Sequence, residues 1–138
     1  MKVFLDTNVL VSAFATRGLC ADLVRMVLSE HELLLSPTVI AELTRTLSEK
    51  IRLPEQTVRD VVALVSASAT LLAQPAHVPP LAVRDPDDAI ILGEALASQA
   101  EVLITGDKDL LELGDIPRLR ILDPRGFWQL LRLQRPVE

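Results

Sequence analysis

Two short apolar runs each stop at an acid, and helical patterns follow both. Val3-Phe4-Leu5 ends at Asp6-Thr7-Asn8, and Val102-Leu103-Ile104-Thr105 ends at Gly106-Asp107. An apolar run of three or four residues between polar ones reads as a buried strand. Residues 32–35 and 120–122 give two more strands by the same pattern, and residues 70–73 a further candidate. The intervening segments carry helical spacing. Residues 9–14 form one, and Leu19, Leu23, Val24, Val27 and Leu28 mark a second. Ser36-Pro37 is a helix start, a capping hydroxyl followed by proline at the first helical position. Behind it, Val39, Ile40, Leu43, Leu47 and Ile51 lie on one stripe. Pro54 opens a helix with Val58, Val61, Val62 and Val65. Asp85-Pro86 starts another, running to about Gln99, and residues 108–113 and 124–133 give two last helices.

Strands alternating with helices predict right-handed crossovers and a three-layer α/β/α fold around a mostly parallel sheet. The 138 residues fit one domain spanning 1–138. Residues 74–86 hold four of the nine prolines and read as a connecting loop.

Composition narrows the function. With 49% hydrophobic and 24% charged residues the chain reads as globular and soluble. Cys20 is the only cysteine, which excludes an internal disulfide and suits a cytoplasmic location. No run approaches bilayer-spanning length, and Met1 to Asp6 meets an acid too early for a signal peptide. A net charge of −5 argues against holding nucleic acid by bulk basicity. It leaves room for a nuclease, because bound cations reverse the local sign at a carboxylate cluster. The chain has no tyrosine and 3% aromatic residues, so a base-stacking platform is not expected.

Parallel α/β folds place their sites beyond the carboxyl ends of the strands, where Asp6 and Asp107 fall. Asp88 reaches the same region from a helix. It shares a face with Ile91, Leu92 and Ala95, three, four and seven residues on, while Asp87 points off that stripe. At roughly 5 Å and an effective dielectric near 20, each pair of such carboxylates repels by on the order of 3 kcal/mol. Lys108 is one of few local bases. A divalent cation removes the repulsion, and an all-oxygen set without a His or Cys cluster points to Mg2+ or Mn2+. Plainer roles remain open: Asp6, Asp85 and Asp107 could cap the helices that follow them. By periodicity Glu42 sits at the margin of its stripe and reads as a solvated glutamate.

These segments resemble the PIN domain. Leu5-Asp6-Thr7-Asn8-Val9-Leu10 is similar to its opening motif, and Ser36-Pro37 through Ala41-Glu42-Leu43 to its second acid block. The run Asp85-Pro86-Asp87-Asp88-Ala89-Ile90-Ile91-Leu92 is similar to the third, and Leu103-Ile104-Thr105-Gly106-Asp107-Lys108-Asp109 to the fourth. The wording around Asp85 and Thr105 is closest to the VapC-like toxin branch of toxin–antitoxin systems. The resemblance implies an Mg2+- or Mn2+-dependent endoribonuclease with catalytic acids Asp6, Glu42, Asp88 and Asp107. Of these, Asp6, Asp88 and Asp107 would be metal ligands, with Asn8, Thr105, Asp85 and Asp109 in support. It also implies an RNA substrate, a protein antitoxin partner and a homodimer. No motif matches the proline-rich stretch before Asp85.

His31 and His77 stand apart from any second metal ligand. Phe127 and Trp128 read as packing residues of the last helix. Arg118, Arg120, Arg125, Arg132 and Arg135 could line an RNA path, meet an acidic partner or form a solvated surface. Two other function classes remain. One is an aspartyl phosphotransferase using Asp6, against which Asn8 stands where a second acid is usual. The other is a non-catalytic PIN-like module that binds RNA or protein.

Overall fold

The computed structural model describes residues 1–73 and 85–134. In chain order the elements are β1 (Lys2–Leu5), α1 (Thr7–Ala15), α2 (Leu19–Glu30), β2 (Glu32–Leu35), α3 (Pro37–Glu49), α4 (Glu55–Ser68) and β3 (Thr70–Leu71). There follow α5 (Pro86–Ala97), β4 (Val102–Ile104), α6 (Lys108–Glu112), β5 (Arg120–Leu122) and α7 (Pro124–Gln134). The proline-rich stretch before Asp85, with His77, lies outside the described residues, as does Arg135.

The five strands form one sheet in the order β3-β2-β1-β4-β5, and every neighbouring pair is parallel. Helices flank it: α1 packs on α2 and α3, α3 on α4, α2 on α7, and α5 on α6. The α/β architecture expected from alternation is therefore present. Parallel strands covered by helices must be apolar on both faces. Val3, Phe4, Leu5, Leu33, Leu34, Leu35, Val102, Leu103 and Ile104 are accordingly all buried. Burial of each such side chain contributes roughly 1.5–3 kcal/mol.

Register sets where the site forms. Leu5 pairs with Ile104, Ile104 with Leu122, and Leu35 with Leu71, so the strands end nearly level. Asp6, Ser36 and Thr105, the residues immediately after three of these ends, therefore meet along one edge. Strand order also reverses there. From β1 the chain moves outward to β2 and β3, then returns to place β4 on the other side of β1. The crevice at such a reversal, between β1 and β4, is where α/β sheets bind ligands. The amide of Asp6 donates to the Ile104 carbonyl at 2.9 Å and ties the two strand ends together.

Two helix ends differ from the sequence expectation, for one reason. Ile51 was expected on the buried stripe of α3, but it is 39% exposed. Arg52 adopts φ 60°, and the amide of Leu53 donates to the Leu47 carbonyl at 3.0 Å. This left-handed closure ends α3 and packs Leu53 on the core in place of Ile51. Gln99, at φ 61°, closes α5 in the same way, with the Ala100 amide donating to the Ala95 carbonyl, so α5 stops at Ala97. The third strand is also shorter than residues 70–73, covering Thr70–Leu71.

Candidate metal centre

Among the described residues, six polar or charged ones are buried: Asp6, Thr7, Ser36, Asp88, Glu94 and Thr105. All six lie on the edge just described or hydrogen-bond toward it. Buried polar groups are costly unless partnered, and five of these six have partners.

Thr105 holds the centre. Its hydroxyl donates to Asp6 Oδ2 at 2.7 Å and accepts from the Asp107 amide at 3.0 Å. One fully buried side chain thus links both strand-ending acids. Asp107 Oδ1 accepts from the Asp109 amide at 2.8 Å and caps α6. The capping role open to Asp107 is therefore real and coexists with its place in the cluster. Asp6 occupies the cap position of α1 but makes no side-chain cap bond. Asp85 does cap α5, accepting from the Asp87 amide at 2.9 Å, and Pro86 takes the first helical position.

Asp88 is the exception. It is 8% exposed, and its Oδ2 is buried without a hydrogen-bond partner. The face expected from periodicity is present, since Ile91, Leu92 and Ala95 are buried beside it and Asp87 is exposed. Burial, followed by repulsion from Asp107, Asp85 and Asp6, pushes the Asp88 carboxyl up to about 7. Asp6 is also raised, chiefly by burial, against the lowering effect of the Thr105 hydroxyl.

Oxygen atoms of Asp88, Asp107 and Asp109 all lie within 4.8 Å of one another. Asp6 and Glu42 are outside this closest group, though Asp6 is near enough to raise Asp88 and to be raised by Glu42 and Asp107. Lys108 is exposed and forms no ion pair with these acids. Three convergent carboxylates, one of them carrying a buried oxygen without a partner, fit a hard divalent cation. The acidic trio could therefore hold a metal ion.

Glu42 is half-buried, not solvated, and Thr7 Oγ1 donates to its Oε2 at 2.8 Å. Asn8, expected in support, is exposed and makes no side-chain hydrogen bond to these acids; its neighbour Thr7 provides the contact. Sequence reasoning also missed Glu94. It is 2% exposed, accepts from Ser36 Oγ and Thr38 Oγ1 at 3.1 Å each, and its carboxyl is raised chiefly by burial. A signal was present: Glu94 is the one charge in the run from Ala89 to Ala97, within a helix otherwise apolar on most sides.

The late arginines separate. Arg120 begins β5 and Arg118 precedes it, so both sit at the amino end of the sheet, away from the acids. Arg125 and Arg132 instead line a groove of about 520 Å³ with Leu19, Trp128 and Gln129. The buried indole Nε1 of Trp128 has no hydrogen-bond partner there. His31 lies with its ring edge-on to Phe127, at 5.9 Å between ring centres, and contacts the Met1 amino group; among the described residues it belongs to no cluster that could hold a metal.

Fold and cluster together define a parallel-sheet α/β protein with an acidic site suited to a divalent cation. The family follows from sequence: the PIN-domain profile matches residues 2–109, and the chain belongs to the PIN-domain family. No curated protein gives a significant match. Solved structures share the fold, among them two from VapBC systems. A chain of VapBC2 from Rickettsia felis, solved bound to a DNA fragment from their promoter, is 16% identical with a TM-score of 0.63. That match covers 88% of this chain and 97% of the other. A chain of VapBC-1 from nontypeable Haemophilus influenzae is 20% identical with a TM-score of 0.64, covering 91% and 99%. Among the described residues no helix is long and apolar enough to cross a membrane.

Proposed function

We propose that this chain is an Mg2+- or Mn2+-dependent endoribonuclease that hydrolyses RNA phosphodiester bonds. The observation that carries the reading is the convergence of Asp88, Asp107 and Asp109, together with the unpartnered buried Oδ2 of Asp88. In this reading Asp88 and Asp107 hold the cation together with Asp6 from the adjoining strand end, and Asp109, in the same tight group as Asp88 and Asp107, adds a further carboxylate. When bound, the ion supplies Lewis acidity toward the phosphate and balances the carboxylate charge. Thr105 fixes the positions of Asp6 and Asp107. Glu42, held by Thr7, orients water at the phosphate. Asp85 starts the helix that delivers Asp88.

Family membership and the VapBC neighbours support a further role as the toxin of a toxin–antitoxin pair. An apolar groove of about 280 Å³ between α1, α2 and α4, lined by Phe14, Val24, Leu28 and Leu64 among others, would suit a partner segment. A homodimer is part of the same proposal, as is one domain for the whole chain.

The direct test is incubation of single-stranded RNA with the purified protein. Cleavage is expected in Mn2+ or Mg2+ and is abolished by EDTA. RNA that stays intact with metal present, yet is bound, would favour the non-catalytic module. Trapping a phosphoryl group on Asp6 would favour the phosphotransferase.

The α7 groove makes a separate prediction. Neither Arg125 nor Arg132 forms an ion pair among the described residues. If both touch phosphate, replacing both with alanine raises KM several-fold at constant kcat. It also flattens the slope of log KM against log salt by about 0.7 for each phosphate no longer neutralised. An unchanged slope would make them solvated surface.

A further inference from the structure

We propose that Glu94 is a positioning residue that clamps the helix bearing Glu42 to the helix bearing Asp88. This rests on the ribonuclease reading above.

Glu94 lies on α5, nearly two turns beyond Asp88. Its two oxygens are taken up by two hydroxyls of one other helix end: Oε1 accepts from Ser36 Oγ and Oε2 from Thr38 Oγ1, each at 3.1 Å. Ser36 is the cap of α3, and its Oγ also accepts from the Val39 amide at 3.1 Å. A single hydroxyl therefore serves the helix start and the Glu94 carboxylate together. Thr38 lies four residues before Glu42, so the two share a side of α3. Glu42 is then fixed from its far end by Thr7, the residue after Asp6. The contacts run from α5 through Glu94 to Ser36 and Thr38, along α3 to Glu42, and through Thr7 to Asp6.

Energetics argue for a specific role. Glu94 is 2% exposed and has no ion-pair partner among the described residues. A buried carboxylate without a cation costs more than an apolar side chain of similar size. Leucine at this position would fill the space but give α3 no directional contact. What Glu94 adds is two hydrogen bonds that admit one rotation and one height of α3 against α5. A carboxylate displaced by about 1 Å from its working position loses much of its catalytic effect.

The test compares Glu94→Gln with Glu94→Leu. Glutamine keeps an acceptor for Ser36 Oγ, and its amide can donate to Thr38 Oγ1. The leucine variant is expected to lower kcat for RNA cleavage at least tenfold with KM within about threefold, while the glutamine variant stays within about threefold of wild type in both. In a Glu42→Ala background Glu94→Leu should add almost nothing, because the residue it positions is gone. Wild-type kcat in Glu94→Leu, equal losses in both variants, or full additivity with Glu42→Ala would each overturn the proposal. Amide hydrogen exchange at Val39 and Ile40 gives a readout free of activity. Protection should fall at least tenfold in the leucine variant and persist in the glutamine variant; unchanged protection in both would overturn the clamp. If the wild type cleaves no RNA, the ribonuclease reading fails, and exchange still decides whether the clamp exists. Should the leucine variant not fold, Thr38→Val probes the same hydrogen bond with the carboxylate retained and is expected to lower kcat in the same direction. Wild-type kcat there would also count against the clamp.

Discussion

Asp107→Asn is expected to lower kcat for RNA cleavage by about 100- to 1,000-fold, the usual cost of removing one preorganised electrostatic group from a site, with the fold intact. The fold should survive because asparagine keeps Oδ1, which accepts the Asp109 amide and caps α6. The amide of residue 107 likewise keeps its bond to Thr105 Oγ1. What disappears is one negative charge from the trio with Asp88 and Asp109. Two effects follow, and both can be measured. Affinity for Mn2+ falls, because the site has one anionic donor fewer. The carboxyl of Asp88 moves down from about 7, because after burial Asp107 is the largest cause of its elevation. A carbon-detected NMR titration of metal-free protein would follow that second effect directly. An asparagine variant that cleaves at the wild-type rate would remove Asp107 from the machinery. An Asp88 midpoint that does not move would show that the two carboxylates are not close in solution.

The parts of this site that the sequence made legible are those built from local rules. Ser36-Pro37 and Asp85-Pro86 each announce a helix start through a capping oxygen and a residue without an amide proton, and both caps are present. Asp6 and Asp107 were legible because an apolar run ending in an acid places that acid at a strand's end, and parallel register lines those ends up. Asp88 followed from helical spacing alone. Glu42 did not: its position on α3 is marginal by periodicity, and only resemblance to the PIN domain singled it out. Its partner Thr7 comes from 35 residues away, a contact that no local window contains. Glu94 was hidden for the same reason, since its partners Ser36 and Thr38 lie 58 and 56 residues away. Asn8 was favoured over Thr7 by motif position, yet the first residue of α1 is the one that turns toward Glu42. The closures at Arg52 and Gln99 were missed because neither residue carries the usual glycine or asparagine signal for a left-handed helix end.

Asp88→Asn should raise the stability of the metal-free protein above neutral pH by on the order of 2–4 kcal/mol, while abolishing the benefit of added cation. In the wild type the folded carboxyl titrates near 7, against 3.8 in an ordinary setting. Between those values the native state keeps a proton that the unfolded chain has released. Stability of the wild type therefore falls as pH rises through this window. Asparagine cannot ionise, so its advantage is absent below the lower value and complete above the upper one. For a chain of 138 residues that advantage corresponds to a Tm increase of roughly 10 °C. Asparagine also presents an amide in place of the orphaned Oδ2, a donor where the wild type has an unpartnered acceptor. Saturating Mn2+ should reverse the order. A cation held by ionised Asp88 stabilises the wild type by about 4.1 kcal/mol at roughly 1,000 times its Kd, which exceeds that advantage, and the variant gains far less. The measurement is thermal unfolding from pH 4 to 8 with and without Mn2+. A Tm difference that stays flat across pH, or an equal gain from Mn2+ in both proteins, would mean that Asp88 carries no special strain and that the ion, if it binds, binds elsewhere. The expected crossing of the two curves would tie one buried carboxyl to both stability and metal affinity, since in the proposed reading Asp88 weakens the empty fold by holding a charge that a cation balances.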